Sequence, residues 1–518
     1  MDTRKKMRHL RPTTVAGGMP MAQRFATNTG LSAPLAASGS VAQHPACPTL
    51  PQQGCRHPLV NLAENDRLSR CETEITGRFD AIVPFLRDLA GRGVGVDFVA
   101  DTQRRAQEQL GMRLPEALLE NAWVRGPDMR GLYAAATFAA LRLGVEKFSE
   151  RIRAELQAGE NIDALLVECG FHACNISVCA DGRLKGFLPY VLRLPAGRLL
   201  RRSAFAGTLF DVEKDVEDWQ ATELRRFREG FPTTADRPTR YLKIAVYHGS
   251  SLDPSHQGCA AHGSNESHAL EAALQRLRDF RAAIENEFCC GASTDILLIG
   301  LDTDTDAIRI HTPDAKGELS AYRYVDNAKL YQQTYGLDAD RARLAVYESI
   351  RLAAETSGWG QGEGMPHDGM RRLIATLLIN NFSQIEYVGT QEGGWHADRG
   401  HGERFISVGD GFSELQVRNL AYYARLDTVE EGAADLDVGI KIFRHLNLER
   451  SLPIPMAIHY RYDGRVPGNR ERTVQKLRRV AAAIRHRYAD LDRDGWLYLH
   501  GSVQEQPVGS PLEEVELQ

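Results

Sequence analysis

A thiol, a carboxylate and a guanidinium stand at alternate positions in Ile176-Ser-Val-Cys-Ala-Asp-Gly-Arg183: Cys179, Asp181 and Arg183. About seventy residues on, Val246-Tyr-His-Gly-Ser-Ser-Leu-Asp-Pro-Ser-His-Gln-Gly-Cys259 adds an imidazole and a second thiol, His248 and Cys259. Two thiolates and one imidazole form a donor set that zinc prefers. Three protein ligands rather than four leave a position for water, which marks a catalytic site. Asp181, if ionised, can accept a hydrogen bond from water at the metal, and Arg183 would keep it charged and off the metal. Neither spacing is specific alone. A single cysteine is more often a small buried hydrophobe, and Asp181-Gly-Arg183 by itself reads as an ordinary turn. His256 and His262, which flank Cys259, are rival imidazoles, and Cys174 is a rival thiol. His248 is preferred because it ends a strand, where its backbone is fixed; Cys174 lacks the acid–arginine neighbours.

The elements around these residues predict a βαβ unit. Arg240-Tyr-Leu-Lys-Ile-Ala-Val-Tyr-His248 is an apolar run of buried-strand type, followed by a polar loop, a helix from Glu266 to about Phe288, and a second such run, Asp295-Ile-Leu-Leu-Ile-Gly300. That order places the ligands at the carboxyl edge of a sheet. Ile162-Asp-Ala-Leu-Leu-Val, Asn175-Ile-Ser-Val-Cys and Phe187-Leu-Pro-Tyr-Val-Leu-Arg-Leu also read as strands or short buried segments. Asp181-Gly182 between two of these runs is a hairpin-turn signal.

The back of the chain repeats this design. Leu274-Gln-Arg-Leu-Arg recurs as Val474-Gln-Lys-Leu-Arg, and Ile296-Leu-Leu-Ile as Trp496-Leu-Tyr-Leu in the same register. Ile244-Ala-Val-Tyr-His248 recurs as Met456-Ala-Ile-His-Tyr460, and Ile176-Ser-Val-Cys-Ala-Asp-Gly182 is echoed by Ile406-Ser-Val-Gly-Asp-Gly411. Two βα domains of common design, packed as a pseudo-dimer, explain the pattern most simply. The copy has lost the chemistry: Gly409 stands near the place of Cys179, Tyr460 replaces His248, and no arginine follows Gly411. The loop that carries Cys259 is also a dozen residues shorter there.

The 518 residues exceed one ordinary core. A 43% hydrophobic and 25% charged composition is that of a globular protein, and a net charge of -5 gives no reason to expect nucleic-acid binding. No apolar run is long enough to span a membrane, and the first twenty residues lack the apolar core of a secretory signal. Nine cysteines, an odd and sparse set, fit a reducing setting better than a disulfide framework. Residues 1–60 carry Arg4, Lys5, Lys6, Arg8, Arg11, Arg24 and Arg56 against the single acid Asp2. Such a segment is expected to be disordered when free and to serve as a solubilising tail or as a basic arm for an acidic partner; a transit peptide has a similar composition. Residues 61–157 repeat apolar positions near the helical period. The expected class is α+β: disordered basic tail (1–60), helical domain (61–157), zinc domain (158–402) and a degenerate duplicate without the metal site (403–518).

Cys179-x-Asp181-x-Arg183 with His248 and Cys259 resembles the zinc site of beta-class carbonic anhydrases. The three-part layout after the tail is similar to the carboxysome shell carbonic anhydrases, over nearly the whole chain. The resemblance implies one zinc ion per chain on Cys179, His248 and Cys259, an Asp181–Arg183 pair that orders the activated water, and reversible hydration of carbon dioxide to bicarbonate. It further implies residence inside the carboxysome, at the inner side of the shell, supplying carbon dioxide to Rubisco, with Rubisco bound through the N-terminal tail. Contacts with shell or interior proteins and a homodimer or higher homo-oligomer are expected, and no nucleic acid or membrane. His396 and His401, in Gly393-Gly-Trp-His-Ala-Asp-Arg-Gly-His401, are candidate proton shuttles by their usual pKa. The rival readings are a different zinc hydrolase, a thiol-dependent redox enzyme, and a non-catalytic scaffold whose structural zinc takes a fourth ligand such as His256. Cys289-Cys290 is a candidate for redox control.

Overall fold

Two mixed sheets carry the chain beyond residue 172, preceded by a region of helices. The computed structural model describes residues 56–120, 126–158, 162–195, 197, 199–234, 236–287, 293–359, 368–397, 400–415, 417–426, 428–506 and 509–517. These fall within one compact unit, Cys47–Gln518. The basic segment 1–55 and the pair Cys289-Cys290 lie outside the described residues.

The helical region comprises α1 (Leu62–Asp80), α2 (Ile82–Ala90), α3 (Phe98–Leu110) and α4 (Met129–Ala158). Asn61 caps α1, its side chain accepting the Glu64 N–H, and Leu68, Cys71, Ile75 and Phe79 form the buried stripe at helical spacing. That stripe does not belong to a free-standing domain. Phe79 stacks on Phe405 with ring centroids 5.9 Å apart, and Leu132, Ala136 and Ala140 share one core with Phe412, Leu415, Val417 and Ala457. The helices therefore cover one face of the second sheet. Anchoring begins before α1: His57 is buried and bonded to Thr334 Oγ1 at 2.9 Å.

Ile162-Asp-Ala-Leu-Leu-Val, expected as a strand or short buried segment, is the helix α5 (Ile162–Glu168). Its buried positions, Ile162, Leu165, Leu166 and Cys169, follow the 3.6-residue period, which a six-residue window is too short to separate from an apolar strand. Phe187–Val191, also read as strand, is a single π-helical turn that buries Phe187, Leu188 and Val191.

The first sheet runs β2-β1-β3-β4-β5-β6, from β1 (Ala173–Cys179), β2 (Leu200–Phe205), β3 (Arg240–Gly249), β4 (Ser293–Asp302), β5 (Ile308–Pro313) and β6 (Leu319–Asp326). Its first four strands pair in parallel, and β5 pairs antiparallel with both β4 and β6. Helices α6 (Val212–Arg228), α7 (Glu266–Glu287), α8 (Asn327–Thr334), α9 (Ala339–Ser357) and α10 (Asp368–Gln391) complete this half. β1 is buried throughout and β3 at all but its first residue, as expected of parallel strands covered on both faces. The parallel pairing of β1 with β2 corrects the hairpin expectation at Asp181-Gly182. Asp181 instead caps the short 3-10 turn Gly182–Leu184 with its own side chain, a local bond that Asp makes readily in a tight turn.

The second sheet runs β11-β10-β9-β7-β8, from β7 (Phe405–Gly409), β8 (Ala421–Ala424), β9 (Ile454–Tyr462), β10 (Leu497–Glu505) and β11 (Leu512–Val515), with helices α11 (Val429–Leu446), α12 (Asn469–Arg487) and α13 (Ala489–Arg493). Its order β8-β7-β9-β10 corresponds strand for strand to β2-β1-β3-β4. The registers correspond too: Ile176 pairs with Ile244 as Ile406 pairs with Met456. Between the last two strands, Ile244 pairs with Leu297 and Met456 with Leu499. This equates Leu297 with Leu499, two residues away from the sequence match of Ile296 with Trp496.

Candidate metal centre

β1 and β3 lie side by side and end on the same edge, so Cys179, the last residue of β1, and His248, next to last in β3, are brought together by sheet register alone. Cys259 comes from the loop between β3 and α7. The three ligand atoms lie within 4.8 Å of one another, and all three residues are buried. The two Sγ atoms are 3.8 Å apart, which matches the edge of a tetrahedron with arms of about 2.3 Å, the usual zinc–sulfur bond. Both ring nitrogens of the fully buried His248 lack a hydrogen-bond partner among the described residues. An imidazole left bare in a protein interior is a ligand waiting for an acceptor of its lone pair. The residues therefore fit a zinc ion. Cys179 is pushed well above its usual pKa, first by its contact with Cys259 and then by burial, while the same contact lowers Cys259.

Asp181 lies just beyond Cys179, with its Oδ2 3.7 Å from His248 Nε2. Arg183 grips it with a fork: Nε donates to Oδ1 at 3.0 Å and Nη2 to Oδ2 at 2.7 Å. The guanidinium is itself fixed by the Gln257 and Gly258 carbonyls and by Thr303 Oγ1 at 3.1 Å. Burial alone would raise the Asp181 pKa, but Arg183, with His401 and His248 behind it, holds it well below the usual carboxylate range. A bidentate pair that is also hydrogen-bonded to its surroundings is the arrangement in which burial of two charges is tolerated.

His401 reaches this carboxylate from the far side, its Nδ1 4.0 Å from Asp181 Oδ2 and 3.2 Å from Glu403 Oε1. Burial would lower its pKa, yet the two carboxylates raise it to about 9. Glu403 Oε1 also accepts the Gly182 N–H at 3.0 Å. The turn is clamped again where the Asn419 N–H bonds the Gly182 carbonyl at 2.9 Å and the Tyr423 N–H bonds the Ala180 carbonyl at 3.0 Å. The half of the chain that holds the second sheet thus supplies the braces of this turn. Sequence reasoning missed Glu403 and Thr303; His401-Gly-Glu403, an acid beside an already suspected histidine, was the available signal for the first, and nothing local marks the second.

The rival residues are elsewhere. His256 is exposed and paired with Asp253, His262 bonds the Gly207 carbonyl at 3.0 Å, and Cys174 is buried within β1, pushed up to about 12 by burial. His396 is buried with its Nε2 2.8 Å from Asp306 Oδ2. Of the two shuttle candidates, the fold brings only His401 to Asp181.

The comparisons with known proteins extend over the same ground. Sequence profiles of the Carboxysome Shell Carbonic Anhydrase match along the chain: its N-terminal region at residues 57–149, its catalytic domain at 161–401 and its C-terminal region at 402–518. The protein is an enzyme, a carbonic anhydrase. The carboxysome shell carbonic anhydrase of Halothiobacillus neapolitanus is 56% identical over 475 residues, 91% of this chain and 92% of its own. That of Prochlorococcus marinus strain MIT 9313 is 47% identical over 472 residues, 89% of this chain and 90% of its own. The chain belongs to the carboxysome shell carbonic anhydrase family, and its place is the carboxysome.

Proposed function

We propose that the chain catalyses zinc-dependent, reversible hydration of carbon dioxide, with Cys179, His248 and Cys259 holding the metal. The observation that carries this reading is the convergence of three soft donors, one of them an otherwise bare imidazole, beside an arginine-gripped carboxylate. When bound, zinc supplies the Lewis acidity that makes water nucleophilic near neutral pH. Asp181 stays ionised at neutral pH because of Arg183, so it can only accept a hydrogen bond. It would take one O–H of the reacting water and turn the oxygen lone pair toward carbon dioxide. Arg183 draws both Asp181 oxygens to itself and keeps them from becoming a fourth ligand. His401, poised between Asp181 and Glu403 with its side chain 23% exposed, would carry the released proton to solvent. No fourth His, Cys, Asp or Glu joins the three ligands in the cluster of described residues, which favours the catalytic over the structural-zinc reading.

The matched strand order and register of the two sheets support a duplication in which the second copy gave up its metal. Gly409 ends β7 where Cys179 ends β1, and Tyr460 occupies the β9 position of His248. The function left to that copy is to cover and brace the site. Inside the carboxysome the reaction would run toward carbon dioxide for Rubisco, and the basic residues Arg4 to Arg56 are proposed to bind Rubisco. Zinc stoichiometry and stopped-flow hydration, measured on the wild type and Cys259→Ala, test the central reading. One zinc per chain and rapid hydration, both lost in the variant, are expected. Full activity in zinc-free Cys259→Ala would end it.

A further inference from the structure

Lys185 follows the turn that carries Asp181 and Arg183, yet it takes no part in their network. It is 6% exposed, and its Nζ has no hydrogen-bond partner among the described residues. The Nζ lies 4.5 Å from the centre of the Tyr423 ring, whose hydroxyl is occupied by the Gly409 carbonyl at 2.9 Å. Lys185 lines a narrow cavity together with Arg202 and Tyr423, and the same cavity is lined by Cys179 and Asp181. An amine sealed from water without an acceptor is under pressure to lose its charge. Burial, and Arg202 next to it, lower the Lys185 pKa to about 7, with Glu414 the opposing influence. A neutral lysine amine is a nucleophile.

We propose that Lys185 is a carbon dioxide modification site: its Nζ adds to carbon dioxide to form a carbamate held against the Arg202 guanidinium. In the step the nitrogen lone pair forms the N–C bond, one C=O π pair moves onto oxygen, and the nitrogen proton leaves to solvent. The amine and carbon dioxide become a carbamate anion and a proton, with nothing oxidised or reduced. The product meets the chemistry of the cavity: two oxygens to accept from a guanidinium, and a negative charge beside Arg202, whose own pKa burial lowers. Exposed lysines such as Lys147 and Lys329 do not line this cavity. The modification would place a charge that depends on carbon dioxide level on the loop that carries Asp181.

The test is chemical trapping. Zinc-loaded full-length protein is equilibrated in 13C-bicarbonate near pH 8, treated with an oxonium alkylating reagent that esterifies carbamates, digested and read by mass spectrometry. A protein with a known lysine carbamate serves as the positive control. A 13C-labelled ester on Lys185, rising with dissolved carbon dioxide and absent from exposed lysines, is expected. Lys185→Arg, checked for zinc content and circular dichroism, should remove it. Arg202→Met should lower occupancy roughly tenfold, the worth of one charge-assisted contact. No label at Lys185 with a working control overturns the proposal, as does uniform labelling of all lysines. Absent label with bicarbonate and inorganic phosphate both raising the Tm of the wild type but not of Lys185→Met would make the cavity a non-covalent oxyanion site instead, and the carbamate would be refuted. The buffer supplies the carbon dioxide, so the outcome does not depend on turnover at the zinc site.

Discussion

Arg183→Gln removes the cation on which the Asp181 charge depends. The two side chains are 1% and 3% exposed, so water cannot replace the fork of bonds at 3.0 and 2.7 Å. Taking one partner from a buried pair costs about 3–5 kcal/mol. Part of that appears as lost stability and part as a rise in the Asp181 pKa, at about 1.4 kcal/mol per unit. Burial, the largest influence on Asp181, then acts without its nearest opponent. The expected result is a fall in kcat/KM of roughly a hundredfold or more at pH 7, in line with losses of electrostatic groups at reaction centres. The acid limb of the pH profile should move upward, because Asp181 now protonates at a pH where the wild type stays ionised. Stopped-flow hydration across pH, with zinc content determined on the same samples, reads both. A double-mutant cycle with Asp181→Asn separates a positioning role from an independent one. If Arg183 acts through Asp181, the double variant is no worse than the poorer single one, and the coupling is about 2 kcal/mol, within the range for contacting residues. Additive losses, or an unmoved acid limb in fully zinc-loaded Arg183→Gln, would refute the reasoning.

Three further outcomes are expected. His401→Ala should lower kcat with partial rescue by added imidazole buffer, whereas His396→Ala should leave kcat near wild type and lower stability, since it strips Asp306 of a 2.8 Å partner; equal kinetic defects would contradict the placement. His57 and His311 are held neutral by burial, each lowered from 6.5 to about 4. As pH falls below 6.5 the unfolded chain binds their protons first, so stability is complete above 6.5 and lost between 6.5 and 4, at up to about 1.4 kcal/mol per pH unit for each histidine. Urea midpoints at pH 7.5 and 5 measure it, and a midpoint that does not fall disproves the sign. Deleting residues 1–55 should weaken Rubisco binding at low salt, where interactions of exposed charges are least screened, without changing hydration; unchanged binding would remove the role proposed for the basic arm.

Of the five residues proposed for the reaction, Cys179 and His248 were legible because their types are rare and they fall at strand ends, whereas Cys259 in the following loop and Asp181 and Arg183 in the turn after β1 drew their meaning from those two. Gly409 and Tyr460, at the register positions of Cys179 and His248 in the second sheet, set the pair apart a second time. Local geometry was less legible. Asp181-Gly182 has the composition of a hairpin, but β1 and β2 pair in parallel, a relation set by which strands sit adjacent in the sheet and not by the two turn residues. Ile162–Glu168 shows why: with five apolar residues in seven the segment suits either period, and only the surface it packs on decides between helix and strand.

By itself the sequence offered the candidate donor set, the carboxylate–guanidinium pair and the repeat pattern that led to the proposal of a second copy lacking them, since these depend on residue identity and spacing. Only the tertiary structure shows that His248, and neither His256 nor His262, lies with the two thiols, that His401 stands at Asp181, and that the half containing the second sheet supplies Glu403, Asn419 and Tyr423 to the turn. It also shows that Lys185 lines a cavity with no hydrogen-bond partner for its Nζ among the described residues. Those are distances between residues separated by up to hundreds of positions in the chain, and such distances are set by how two sheets pack against each other.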